Sequence, residues 1–154
     1  MPVTLSGSGQ VPVQVISVTK VDAFATTSTS PVDVTGLTVN ITPTNASNKI
    51  LVFAQIFGGS DASTALYVNL VRNSTALNVG TSGNTYNSTI GSYLGAGTLY
   101  LTSPIVFLDS PNTTSSTTYK IQVFTSGTNI AINRRVNDFV IGGTSTITVM
   151  EISG

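Results

Sequence analysis

Apolar and polar residues alternate along most of the chain in short runs, set off by turn-forming clusters about every 8 to 12 residues, the spacing of a sandwich or barrel. From Val11 to Val21, Val13 and Val15 share one face while Ile16 and Val18 share the other, and Pro12 marks a sheet edge or a strand start. Phe24, Thr26 and Ser28 alternate toward Pro31. Leu37, Val39 and Ile41 form the next strand, closed by Pro43 and a turn over residues 44–48. Lys49 to Phe57 sets Ile50, Val52, Ala54 and Ile56 against Leu51, Phe53 and Phe57, so both of its faces need cover. Ala65 to Arg72 is again two-sided, and Asn73-Ser74-Thr75 reads as the turn of a hairpin returning through Leu77 and Val79.

Periodicity weakens between Gly80 and Gly97, where Gly, Ser and Asn surround Tyr86 and Tyr93, and the stretch reads as a long exposed connection. Strand character resumes from Leu99 to Leu108 with a kink at Pro104. After a loop over residues 111–116, Thr117 to Thr125 opposes Tyr119, Ile121 and Val123 to Lys120, Gln122 and Phe124. Asn129 to Ile132 is short. Ser145 to Ile152 ends the pattern with Ile147 and Val149 against Met150 and Ile152. No stretch carries the apolar stripe of a three-turn helix. The expectation is an all-β sandwich of eight to nine strands, with residues 1–10 as a short arm and 11–154 as one domain.

Composition sharpens this picture. Charged residues are 8% of the 154, against about 25% in typical domains, yet 40% of the chain is hydrophobic, so it folds rather than remaining a solvated coil. Small hydroxylated residues fill the remainder, with 25 Thr and 19 Ser. Strands apolar on both faces, in a chain this poor in charge, call for a second cover, and another copy of the chain is the simplest one. The absence of His and Cys excludes Ser-His and Cys-His nucleophilic machinery, the usual zinc sites, iron-sulfur clusters and disulfides. Six basic residues balance six acidic ones, which removes the electrostatic footprint of a nucleic-acid binder. Neither a signal peptide nor a membrane-spanning run is visible, which points to synthesis in a cytoplasm without membrane insertion. No cofactor and no metal are expected.

Several phrases then carry a resemblance. Val15 to Phe24, Asp33 to Pro43 with Ser47 to Val52, the turn-bearing Leu70 to Ser74, and the ending Ser145 to Ile152 resemble small β-rich virion proteins and fibre-tip domains of tailed bacteriophages. The strand order is also similar to the trimeric jelly rolls of the tumour necrosis factor and complement-head type. These resemblances imply an antiparallel jelly-roll β-sandwich that forms a homotrimer, with a strand like Ser145 to Ile152 near the three-fold axis.

The candidate residues follow from charge and shape. Gln122, Phe124, Met150 and Ile152 are candidates for the subunit interface. Tyr86 and Tyr93, with the adjacent Arg134 and Arg135, are candidates for a contact surface, because Tyr supplies area at low entropy cost and the guanidinium fork suits a carboxylate. Asp138, close by in sequence, offers an internal partner for the arginines. The lone acids Asp33, Asp61 and Asp109 stand beside turns and are expected to bond nearby backbone amides. Glu151, in an otherwise apolar strand, needs a partner such as Lys120 or an arginine of another subunit. No acid pair is arranged for glycoside hydrolysis, so the chain is not expected to be an enzyme. Two functions remain: a protein that decorates or cements the outer capsid, in contact with the major capsid protein or another virion protein, and the receptor-binding tip of a tail fibre. A tip needs a shaft ahead of it, and only about ten residues precede the first strand here, which favours a protein docked on the virion surface through its own body.

Overall fold

In the computed structural model, which describes residues 13–60, 63–81, 83, 85–94, 99–136 and 140–154, the alternating runs are all strands and no described residue is helical. In chain order they are β1 (Gln14–Lys20), β2 (Phe24–Thr26), β3 (Val32–Ile41), β4 (Lys49–Ser60), β5 (Thr64–Arg72), β6 (Thr75–Leu77), β7 (Ile90–Leu94), β8 (Leu99–Asp109), β9 (Thr117–Thr125), β10 (Ile130–Ile132) and β11 (Ser145–Ile152).

Eight of these strands have five or more residues, and they form two antiparallel layers of four. The first layer runs β1, β11, β4, β8 and the second runs β3, β9, β5, β7. Apart from β5 and β7, which pair within the second layer, successive long strands pass back and forth between the layers, the winding of a jelly roll built from two Greek keys. The expected all-β sandwich is therefore present, and eight is the number of its principal strands. Three strands of three residues raise the total to eleven: β2 and β10 extend one end of the first sheet, and β6 folds back on β5.

The core lies between the layers, where alternation sends every second residue inward. Ile50, Val52 and Ile56 of β4 and Ile147 and Val149 of β11 meet Leu66, Val68 and Leu70 of β5, Ile121 and Val123 of β9, and Leu37 of β3, all without solvent exposure. Full burial of one such aliphatic side chain contributes about 1.5–3 kcal/mol.

Two local readings differ from the sequence. The connection between Gly80 and Gly97 contains β7, paired with β5 from Leu94 opposite Thr64 to Ile90 opposite Val68. Its period was hidden because Ser92 interrupts the inward positions and Gly91 occupies an outward one. A side chain at 91 would sit 3.2 Å from the Tyr67 ring. The strand expected over Val11 to Val21 begins at Gln14, and the proposed arm over residues 1–10 lies outside the described residues. The hairpin at Asn73 is as expected. Asn73 takes a left-handed φ of 54° there, and the other non-glycine residues with positive φ among the described residues, Asn78, Asn112 and Asn133, are also asparagines, a side chain that tolerates this region.

Candidate functional site

Alternation in the first sheet also sends half of each strand outward, and the register aligns those halves. Val15 stands opposite Met150, Met150 opposite Leu51, and Leu51 opposite Leu108, so four strands place four apolar side chains in one row. The next row is Ser17, Thr148, Phe53 and Val106. Ile152 and Val13 lie beyond the first row. Within this surface Val13, Val15, Phe53, Val106 and Leu108 are exposed, Val106 by 63% and Leu108 by 54%, while Leu51, Met150 and Ile152 are half-buried. Two of its polar members satisfy each other: the Ser17 and Thr148 hydroxyls lie 2.7 Å apart. Lys49, at the margin, donates to Ser110 Oγ at 2.9 Å.

The other end of the same face is covered by the chain itself. Phe57 stacks on Tyr100 with centroids 6.0 Å apart, and the backbone at Gly143 lies against the Phe57 ring so closely that a Cβ there would come within 2.7 Å of it. Asn133, which sequence reading did not single out, holds this cover. Its Nδ2 donates to the Lys20 and Asp22 carbonyls at 2.8 and 3.0 Å, and its Oδ1 accepts from the Ser145 hydroxyl at 2.6 Å. A buried Asn between two sequence-distant strands gives no local signal.

The outer face of the second sheet is built differently. Tyr67 stacks on Phe124 at 4.7 Å and on Tyr86 at 5.0 Å, so the connection before β7 folds back over the sheet and leaves Phe124 4% exposed. Beside this cluster, Asp33 accepts from Lys120 Nζ at 2.8 Å and from Gln122 Nε2 at 2.7 Å. These bonds, the lysine's foremost, hold the Asp33 carboxyl below its usual range. Lys120 is thus engaged away from Glu151.

The interface candidates accordingly divide between two opposite surfaces: Gln122 and Phe124 lie on the outer side of the second sheet, and Met150 and Ile152 on that of the first. The contact candidates divide as well. Tyr86 is half-buried in the aromatic cluster, while Tyr93 on β7 is 72% exposed. Arg134 and Arg135 lie beyond β10, half-buried, with Arg134 bridged to Gly142 and the Arg135 amide donating to the Ile141 carbonyl at 2.8 Å. Asp138 and Asp61 lie outside the described residues.

The buried acids hold strands together. Glu151 faces inward with no solvent exposure and accepts from Gln14 Nε2 at 2.6 Å, the Thr44 amide at 2.7 Å, the Thr44 hydroxyl at 2.8 Å and Asn48 Nδ2 at 2.6 Å. Burial is the largest influence and pushes its pKa up, but the donors from Asn48, Gln14 and Thr44 together outweigh it and bring the value down to about 2. Its partners are neutral groups of the same chain, not the cation expected. Asp109 likewise bonds side chains instead of a neighbouring amide. It accepts both carboxylate bonds from Arg72 Nη1, at 2.8 and 2.9 Å, and one from the Tyr119 hydroxyl at 2.6 Å. Burial first, and then this carboxylate, push the Tyr119 hydroxyl far up. Among the described residues no three acids converge to hold a metal, and no helix is long and apolar enough to cross a membrane.

No protein-family model and no curated protein sequence matches the chain. Among solved structures it is similar to chains of infectious bursal disease virus. The T13 viral particle of this virus aligns over 99% of this chain and 41% of its own, at 13% identity and a TM-score of 0.51. The Gx strain aligns over 91% and 37%, at 14% identity and 0.49, and the VP2 subviral particle over 99% and 44%, at 12% identity and 0.47. The likeness shows the fold. The present chain spans about two-fifths of the length of the chains it matches.

Proposed function

We propose that this chain is a structural virion protein that acts without catalysis, associating with copies of itself as a homotrimer and decorating or cementing the outer surface of a capsid, as the resemblance to phage virion proteins implies. The observation that carries the reading is the jelly-roll-like sandwich, which aligns over 99% of the chain with a chain of an icosahedral virus particle. The electrostatics support it. A formally neutral chain with few charges can pack beside copies of itself without mutual repulsion, and its described buried carboxylates accept hydrogen bonds from strands and a turn of the same chain.

Stabilisation by such a protein follows mass action. A ligand that binds only the assembled shell raises the free energy of disassembly without doing chemistry. Virions lacking this protein should adsorb to host cells normally but release their DNA at lower temperature or under milder osmotic shock, and antibody to the chain should label the head. Robust virions that fail to adsorb, labelled at the tail, would instead make it a receptor-binding tip. Light scattering of the purified protein should report about three times the 15.9 kDa of one chain; a mass of one chain at every concentration would remove self-association from this reading.

A further inference from the structure

We infer that the half of the first sheet's outer face that no described residue covers, centred on Leu51, Phe53, Val106, Leu108, Val15 and Met150, is the surface through which one copy of this chain binds another, an inference that rests on the self-association proposed above. The size of the surface is right. Its exposed side chains present on the order of 500 Å² of apolar area, at the upper end of what a free monomer shows, and the hydroxyl and amide residues around it, Ser17, Thr19, Gln55, Thr102, Thr146 and Thr148, enlarge it toward the roughly 800 Å² per partner of a standard interface.

The chemistry selects a second copy over a charged partner. Among the described residues of this half of the face Lys49 is the sole charged side chain, and it sits at the margin bonded to Ser110. A partner bearing charge would lose hydration here and find nothing to pair with. What the surface accepts is another apolar surface with few charges, and this chain, formally neutral and 8% charged, presents one.

The sheet edges do not compete for the role. Along β8, whose second edge pairs with no described strand, Pro104 breaks the row of donors and blunts edge-to-edge pairing, while β1 on the far side lies close beside β3 of the other layer. On the second sheet's outer face the apolar cluster of Tyr67 and Phe124 is already roofed by Tyr86. Phe124 is therefore covered within its own chain, and of the sequence-derived interface residues Met150 and Ile152 belong to the proposed surface.

The test compares charge placed on the two outer faces. Val106→Glu adds a carboxylate at an exposed position in the middle of the surface, and Thr38→Glu adds one to the exposed outer side of β3. With circular dichroism confirming that both variants fold, Val106→Glu should weaken association at least a hundredfold by light scattering while Thr38→Glu leaves it unchanged. Because the chain has no cysteine, Val106→Cys and Thr38→Cys provide a second readout. A thiol reagent should modify position 106 at least tenfold more slowly in the associated protein than in dilute monomer, and position 38 at equal rates in both. If the native protein associates but Val106→Glu associates equally well and position 106 stays reactive, the surface is wrong while self-association stands. If the native protein is a monomer throughout, both fall.

Discussion

Glu151 is the residue whose environment departs most from what its neighbours in sequence suggest. Four donors from Gln14, Thr44 and Asn48 converge on a carboxylate with no solvent contact, tying the start of β1 and the turn before β4 to the end of β11. Glu151→Gln keeps the volume but turns an NH₂ group toward those donors, and should cost about 3 kcal/mol in denaturant unfolding. The pH dependence has a definite sign. The native pKa of about 2 lies below the ordinary 4.5, so the contribution is complete above about pH 4.5. As pH falls from there toward 2, the unfolded chain takes up a proton that the native chain refuses, and stability is lost. The native protein should weaken more steeply than Glu151→Gln across that window; parallel curves would show that the cage does not hold the charge. The need for a partner was legible in the sequence, since a lone acid in an apolar strand demands one. Its identity was not, because neutral Asn, Gln and Thr are too common in this chain for any of them to stand out.

At the scale of elements, alternation located the long strands because each buries one face, and a period of two survives wherever inward positions are consistently apolar. It failed at β7, where Gly91 and Ser92 occupy neighbouring positions and burial is shared with Tyr67 across the sheet. The candidate sites were less legible than the fold. Pairing register decides which outward residues adjoin, and register is a property of two strands at once, so the sequence alone does not display that Gln122 and Phe124 lie on one sheet and Met150 and Ile152 on the other. β3 shows a feature that alternation alone cannot display. Its pairing with β9 shifts between Asp33 and Thr38, and within the shift Gly36 has a φ of +87° with its backbone over the buried Lys20 side chain. An alanine Cβ there would have room, 3.7 Å from Lys20 Nζ, so the penalty of Gly36→Ala is conformational. It should lower unfolding stability by about 1–2 kcal/mol. Thermal melting checks this, and an unchanged midpoint would mean that the strand can relax to a single register.

The molecule as a whole buries one side of each sheet in its core and roofs the aromatic cluster on the second sheet with its own connection, but no described residue covers half of the first sheet's outer side. A face of that size shifts the folding equilibrium if copies cover it for one another, because binding that requires the native state stabilises that state by mass action. For a trimer the stabilisation per chain grows by two-thirds of RT ln 10, about 0.9 kcal/mol, for every tenfold rise in concentration. In a domain of this length that corresponds to a rise of about 2–4 °C in the unfolding midpoint. The native protein's midpoint, read by calorimetry over a hundredfold range of concentration, should therefore climb by about 4–8 °C. Val106→Glu should melt at one temperature throughout that range, close to the native value at high dilution, since position 106 is exposed in the single chain and a carboxylate there leaves the core untouched. A native midpoint independent of concentration would mean that folding draws no stability from association over that range.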